Sequence, residues 1–119
     1  MRREFGKVIT ELAEKDPKIV ILSGDYYSQM QEFMAKFPKR FFNIGICEQS
    51  MIGIAAGMAL EGLKPWVYTI TPFLLRGFET IRTYINHEKL HIVLVGAGRD
   101  DDYSKHDGYD YGRAAGTKN

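Results

Sequence analysis

Short apolar runs separated by segments of helical period leave this chain few folds to choose from. Lys18 leads into Ile19-Val20-Ile21-Leu22, which stops at Ser23-Gly24-Asp25; Phe41-Phe42-Asn43-Ile44, Pro65-Trp66-Val67-Tyr68-Thr69-Ile70 and His91-Ile92-Val93-Leu94-Val95 follow. Continuous rather than alternating apolarity is the mark of strands buried on both faces, as in parallel sheets. Between the runs the period changes. Phe5, Val8, Ile9, Leu12 and Ala13 share one helix face up to Asp16-Pro17. Met30, Phe33, Met34 and Phe37 repeat helically, with Ser28 as a cap, until Pro38. Glu48 to Leu60 predicts a buried helix closed by Glu61-Gly62, with Gly53 and Gly57 suggesting close packing. Leu74, Phe78, Ile81 and Ile85 mark a fourth helix after Pro72. Strands alternating with helices across short connections predict an α/β fold, a mostly parallel sheet with helices on both faces.

The chain has 119 residues, 45% of them hydrophobic, which suits one domain with a core. That domain is expected over residues 1–98, with 99–119 as a loop and polar tail, the incomplete end of the same domain. Sixteen basic against fifteen acidic residues give a charge of +1, so nothing steers the chain to nucleic acid or an anionic membrane. No apolar stretch approaches the roughly 20 residues of a membrane span, and no signal-peptide run follows Met1. The single cysteine, Cys47, cannot form an internal disulfide. A cytoplasmic location is the expectation.

Two short motifs carry little. His87-Glu88-Lys89-Leu90-His91 spells the zinc pattern H-E-x-x-H, but His91 is expected to open a strand, and zinc needs both histidines on one helix. Gly96-Ala97-Gly98 begins a dinucleotide fingerprint whose third glycine is replaced by Asp101 in an acidic run. That run, Asp100 to Asp102 with Asp107 and Asp110, fits no calcium loop and reads as solvated. No metal ligand is assigned.

The informative stretch is Arg40-Phe41-Phe42-Asn43-Ile44-Gly45-Ile46-Cys47-Glu48-Gln49, running on to Gly62. It sets one carboxylate, Glu48, at a strand-to-helix junction among apolar residues. Two roles fit: a buried proton-exchanging acid, or a first-turn glutamate favoured by the helix dipole.

With Lys64-Pro65-Trp66-Val67-Tyr68-Thr69 and Pro72-Phe73-Leu74-Leu75-Arg76, the stretch resembles the pyrimidine-binding domain of transketolases and deoxyxylulose-phosphate synthases, from near Phe5 to about Gly98. The resemblance implies thiamine diphosphate with Mg2+ as cofactor and transfer of a two-carbon unit between sugar phosphates. It implies that Glu48 hydrogen-bonds N1′ of the aminopyrimidine and favours the imino tautomer that takes the proton from C2 of the thiazolium. Phe73 matches the aromatic on which the pyrimidine stacks, though a core phenylalanine fits as well. Arg76 matches a substrate-phosphate arginine of the synthases, or is an exposed helical arginine. Asp25 lies where open α/β sheets place ligands and is assigned to the cofactor, with a turn or cap as the other role.

The departures are as informative. The family follows its Asp-Gly with Thr or Ser and then His; here Asp107-Gly108 precedes Tyr109-Asp110-Tyr111, and His106 is not given the missing role. The family's Gly-Asp-Gly magnesium motif is absent, so the diphosphate and metal are expected on a partner domain or subunit. Met1 falls where the second polypeptide of split enzymes of this kind begins, and the chain stops before the domain's last strand and helices would be built. The expectation is one subunit or fragment of a split, dimeric or higher-order transketolase-like enzyme of carbohydrate metabolism, inactive alone. The alternative is a non-catalytic remnant or self-associating interaction module of the same fold.

Overall fold

The computed structural model describes residues 2–24 and 29–97. The chain runs α1 (Arg2–Lys15), β1 (Ile19–Ser23), α2 (Gln31–Lys36), a 3-10 turn (Pro38–Arg40), β2 (Phe41–Asn43), α3 (Glu48–Leu60) and β3 (Lys64–Ile70). A 3-10 segment (Thr71–Gly77), a single α turn α4 (Phe78–Thr80), a π-helical stretch (Ile81–His87) and β4 (Val93–Ala97) follow within the described residues. The four strands form one parallel sheet in the order β2-β1-β3-β4. The predicted α/β architecture is therefore the observed one.

Helices cover both faces. Successive residues of β1 point to opposite sides, Ile19 and Ile21 into one core and Val20 and Leu22 into the other, which is why the run is unbroken by polar residues. The first core joins Ile9 and Ala13 of α1 to Met30 and Phe33 beside and in α2. The second packs Met51, Ile52, Ala55 and Ala56 of α3 on Val67 of β3. Arg40 fastens the far edge: its guanidinium donates to the Ala13 and Asp16 carbonyls at 2.9 and 3.1 Å, closing the end of α1, and lies 3.8 Å over the Phe37 ring. Lys64 Nζ reaches Asp16 Oδ2 at 2.6 Å from the start of β3, and this hydrogen bond, more than the one from the Lys18 amide, holds the Asp16 carboxyl below its usual range.

Several expectations are corrected. The fourth helix, expected to be regular, is a 3-10, α and π sequence, and Phe78, placed on its apolar face, is 63% exposed. The fourth strand is shifted from residues 91–95 to Val93–Ala97. The amide of Lys64 donates to Lys18 of the neighbouring connection, so position 65 faces β4, where Pro65 has no N–H to give; pairing begins at Trp66 with Val93. Strand two ends at Asn43 rather than Ile44, strand three begins at Lys64 rather than Pro65, and α2 ends at Lys36, one residue short of Phe37. The helix Glu48–Leu60 is buried along one side only: Glu48, Met51, Ile52, Ala55 and Ala56 face inward, while Ile54 and Leu60 are exposed. Gly53 and Gly57 lie outside that inward face, and a Cβ built on either meets nothing within 4 Å among the described residues, so neither serves close packing there. Ser28 lies outside the described residues, and so do Gly98 and the expected tail 99–119. No helix among the described residues is long and apolar enough to cross a membrane.

Candidate functional site

In an open sheet of order β2-β1-β3-β4, the chain reverses its winding at β1: one connection leads out to β2 and the next returns past β1 to β3. The carboxyl ends of the strands around such a reversal leave a crevice where ligands bind. The site residues lie at this edge, Glu48 after β2 and Phe73 and Arg76 after β3.

The turn carrying Glu48 is built from its own short side chains. Asn43 Oδ1 accepts from the Gly45 amide at 3.0 Å, and Gly45 takes φ +80°, which few side-chain-bearing residues adopt cheaply. The Ile44 amide ties the turn to Ser23 of β1 at 2.8 Å. The chain then enters α3 with Glu48 as its first residue, where the helix dipole favours a negative charge. Glu48 is nevertheless only 2% exposed. Burying a carboxylate costs several kcal/mol unless it is paired, on the order of the desolvation of one ion, and the partner here is Arg76, whose Nη1 donates to Glu48 Oε2 at 3.1 Å.

Phe73 completes the group. The Arg76 guanidinium carbon lies 4.4 Å from the centre of the Phe73 ring, so the planar cation stands between a carboxylate and an aromatic face. Beside it opens a shallow recess of about 270 Å³ lined by Ile46, Cys47, Glu48, Gln49, Ser50 and Arg76. Its surroundings include exposed apolar side chains: Ile46 at 60%, Leu75 at 56% and Phe78 at 63%.

Glu48, Phe73 and Arg76, singled out from sequence, are thus brought together, although they come from two different connections. Asp25 lies outside the described residues, as do His106, Tyr111 and the Asp107-Gly108 pair. The H-E-x-x-H histidines are separated: His87 ends the π-helical stretch, Lys89 turns the chain with φ 55°, and His91 precedes β4 rather than opening it. Among the described residues no group of three His, Cys, Asp or Glu side chains could hold a metal ion.

The residue that sequence reasoning missed is Gly77. A Cβ there would stand 2.3 Å from Ile52 Cδ1 and 3.6 Å from the Gln49 Cα, so a side chain at this position would force Ile52 to shift where the segment bearing Phe73 and Arg76 lies against α3. The available signal was a glycine in the middle of an apparent helical pattern, which costs about 1 kcal/mol against alanine unless packing requires it.

The chain is similar to several known proteins. The family model described as "Transketolase, pyrimidine binding domain" matches residues 1–117. An uncharacterized transketolase family protein of Sinorhizobium fredii is 42% identical over 96 residues, 78% of this chain and 28% of that protein. A 1-deoxy-D-xylulose-5-phosphate synthase of Dictyoglomus thermophilum is 41% identical over 93 residues, 76% of this chain and 15% of the relative. Among solved structures, one titled "Split gene transketolase, inactive beta4 tetramer" superposes with a TM-score of 0.73 at 39% identity, covering 80% of this chain and 33% of that one. The chain therefore spans a third or less of the length of these three relatives. With the match running over nearly all of its residues, the chain belongs to the transketolase pyrimidine-binding domain family.

Proposed function

We propose that this chain is the pyrimidine-binding part of a thiamine-diphosphate-dependent transketolase-like enzyme that moves a two-carbon unit between sugar phosphates. The observation that carries this is the Glu48 carboxylate, buried to 2% exposure at the carboxyl edge of the sheet, in one constellation with the Phe73 ring. The residues suit the pyrimidine half of the cofactor. A carboxylate fixed on a helix N-terminus can hold a proton at N1′, and an aromatic face offers stacking area without demanding charge. Thiamine diphosphate, when bound, supplies a thiazolium carbon nucleophile and an electron sink for the two-carbon group. The chain's own contribution is orientation and proton placement: Glu48 sets the tautomer of the ring, Phe73 fixes its plane, and the Asn43–Gly45 turn holds Glu48 where α3 begins.

The diphosphate and its Mg2+ are assigned to a partner domain or subunit. The apolar side chains Ile46, Leu75 and Phe78 near the recess support such a surface, as do Ile54 and Leu60 on the outer side of α3. Asp25 is retained as a cofactor contact and Arg76 as a substrate-phosphate ligand. The domain is taken as residues 1–98, and a cytoplasmic enzyme of carbohydrate metabolism fits the whole. One observation favours the alternative of a self-associating module without turnover: the similar solved protein is titled an inactive tetramer. The same title suits a subunit that acquires activity only with its other half.

Calorimetry of thiamine diphosphate and Mg2+ binding, on the chain alone and with a candidate diphosphate-domain partner, tests the proposal. Tight binding and turnover are expected only in the mixture, with Glu48→Gln lowering turnover by roughly 10²–10⁴-fold, the usual range for a positioned proton-transfer group. Turnover that survives Glu48→Gln would remove the assigned role.

A further inference from the structure

Arg76 makes the two contacts that an aminopyrimidine would need. Its Nη1 donates to Glu48 Oε2 at 3.1 Å, and its guanidinium carbon lies 4.4 Å from the Phe73 ring centre. A guanidinium and an aminopyrimidine are alike in the respects that matter: both are flat, both carry N–H donors in the plane, and both stack on aromatic faces. A ring stacked on the same face of Phe73 and held by Glu48 Oε2 would take the volume the guanidinium fills. The Arg76 side chain is 54% exposed, so it has solvent to move into, whereas the Glu48 side chain, at 2%, has almost none.

Resting on the function proposed above, we infer that Arg76 and the aminopyrimidine compete for the Glu48–Phe73 pair, so that seating the cofactor swings Arg76 out and frees its guanidinium for an anionic substrate group. The exchange keeps the buried carboxylate hydrogen-bonded in both arrangements, which makes two discrete states available in place of one. It also couples two ligands. An anion that captures Arg76 in its outward position clears the pyrimidine site, and a pyrimidine that displaces Arg76 presents the cation to the anion. By linkage the two effects are equal in free energy.

The test uses the full chain and 4-amino-2-methylpyrimidine as probe, with binding followed by NMR titration. Wild type, Arg76→Gln, Arg76→Lys and Glu48→Gln are compared, each checked for fold by circular dichroism. If Arg76 sits inward about nine-tenths of the time, Arg76→Gln is expected to bind the probe roughly tenfold more tightly than wild type. Arg76→Lys, which keeps the charge but loses the flat face, should fall between and keeps the test informative if the glutamine variant does not fold. Guanidinium ion added to Arg76→Gln should weaken probe binding again, and inorganic phosphate should strengthen it in wild type but not in Arg76→Gln. Equal affinity in wild type and both Arg76 variants, with no response to guanidinium, overturns the competition while leaving the pyrimidine site standing. No binding to any form at millimolar probe, or binding indifferent to Glu48→Gln, overturns the underlying assignment as well.

Discussion

Gly77→Ala is the substitution by which the packing behind the site can be weighed. The added Cβ would lie 2.3 Å from Ile52 Cδ1, against the roughly 3.5–4.0 Å at which two carbons rest. Ile52 must then retreat by more than about 1 Å. It has little room, being fully buried in the core with Val20, Leu22, Met51 and Val67. Overpacking of this kind costs about 1–3 kcal/mol. Two opposing effects are smaller: Gly77 has φ −103°, a conformation alanine accepts, and replacing glycine restricts the unfolded chain by about 0.4–1 kcal/mol. The expected net loss is about 0.5–2 kcal/mol, read from urea unfolding as a lower midpoint at unchanged slope. Ile52→Val removes the offending Cδ1 and costs about 0.5–1.5 kcal/mol alone. If the clash is the cause, the double variant should be more stable than the sum of the two losses by about 1 kcal/mol. A Gly77→Ala chain as stable as wild type, or strict additivity in the pair, would refute the close-packing role of Gly77.

Three further outcomes are expected. Arg40→Met keeps much of the stacking on Phe37 but loses the hydrogen bonds to the Ala13 and Asp16 carbonyls, and should lower unfolding stability by about 1–3 kcal/mol in urea titrations. Asp16 has its folded pKa below the ordinary 3.8 because Lys64 and the Lys18 amide hold the charged form. Its contribution is therefore present above that ordinary value and lost as pH falls through the lower folded one, so Asp16→Asn should be slightly less stable at pH 7 and equal to wild type in strong acid, by thermal melts across pH. Phe78→Asp, at a 63% exposed position, should change folding stability by no more than about 0.5 kcal/mol while weakening association with itself or a partner in sedimentation measurements; unchanged association would remove Phe78 from the proposed contact surface.

What could be read from the sequence was set by local physics. Ile19 to Leu22 had to be a two-faced buried strand because each successive residue enters a different core. Glu48 could be placed at a helix start because the apolar run Phe41 to Ile44 gives way to the helical stretch Glu48 to Leu60, and the structure supplies the turn between them from Asn43 and Gly45. The errors fall where a distant partner decides. The start of β4 depends on which way the missing N–H of Pro65 points, and that direction is fixed only by the pairing of Lys64 with the chain at Lys18. In the irregular helix after β3, Gly77 approaches Ile52 across 25 positions of sequence, a closeness that local spacing does not reveal. Gly53 and Gly57 show how little spacing says of the neighbour: among the described residues nothing of this chain approaches either, so of close packing within the chain and against a partner only the first is set aside.

The distribution of polar and apolar groups around Glu48 explains why binding and turnover are expected to separate. The carboxylate is shielded by its own chain, with α3 and the segment after β3 enclosing it, so its position does not depend on association. The aromatic and cationic groups opposite it come from a segment whose Leu75 and Phe78 remain exposed, and the proposed partner surface would cover them. An isolated chain should then recognise a flat nitrogen heterocycle weakly, through one hydrogen-bonding group and one ring face. Water remains free to enter, and a charge developing in a reaction there would be screened by it, whereas exclusion of water by an apposed apolar surface would strengthen every electrostatic contact that Glu48 makes. If the proposed function holds, association with the proposed partner should raise turnover by a larger factor than it raises affinity for the pyrimidine alone.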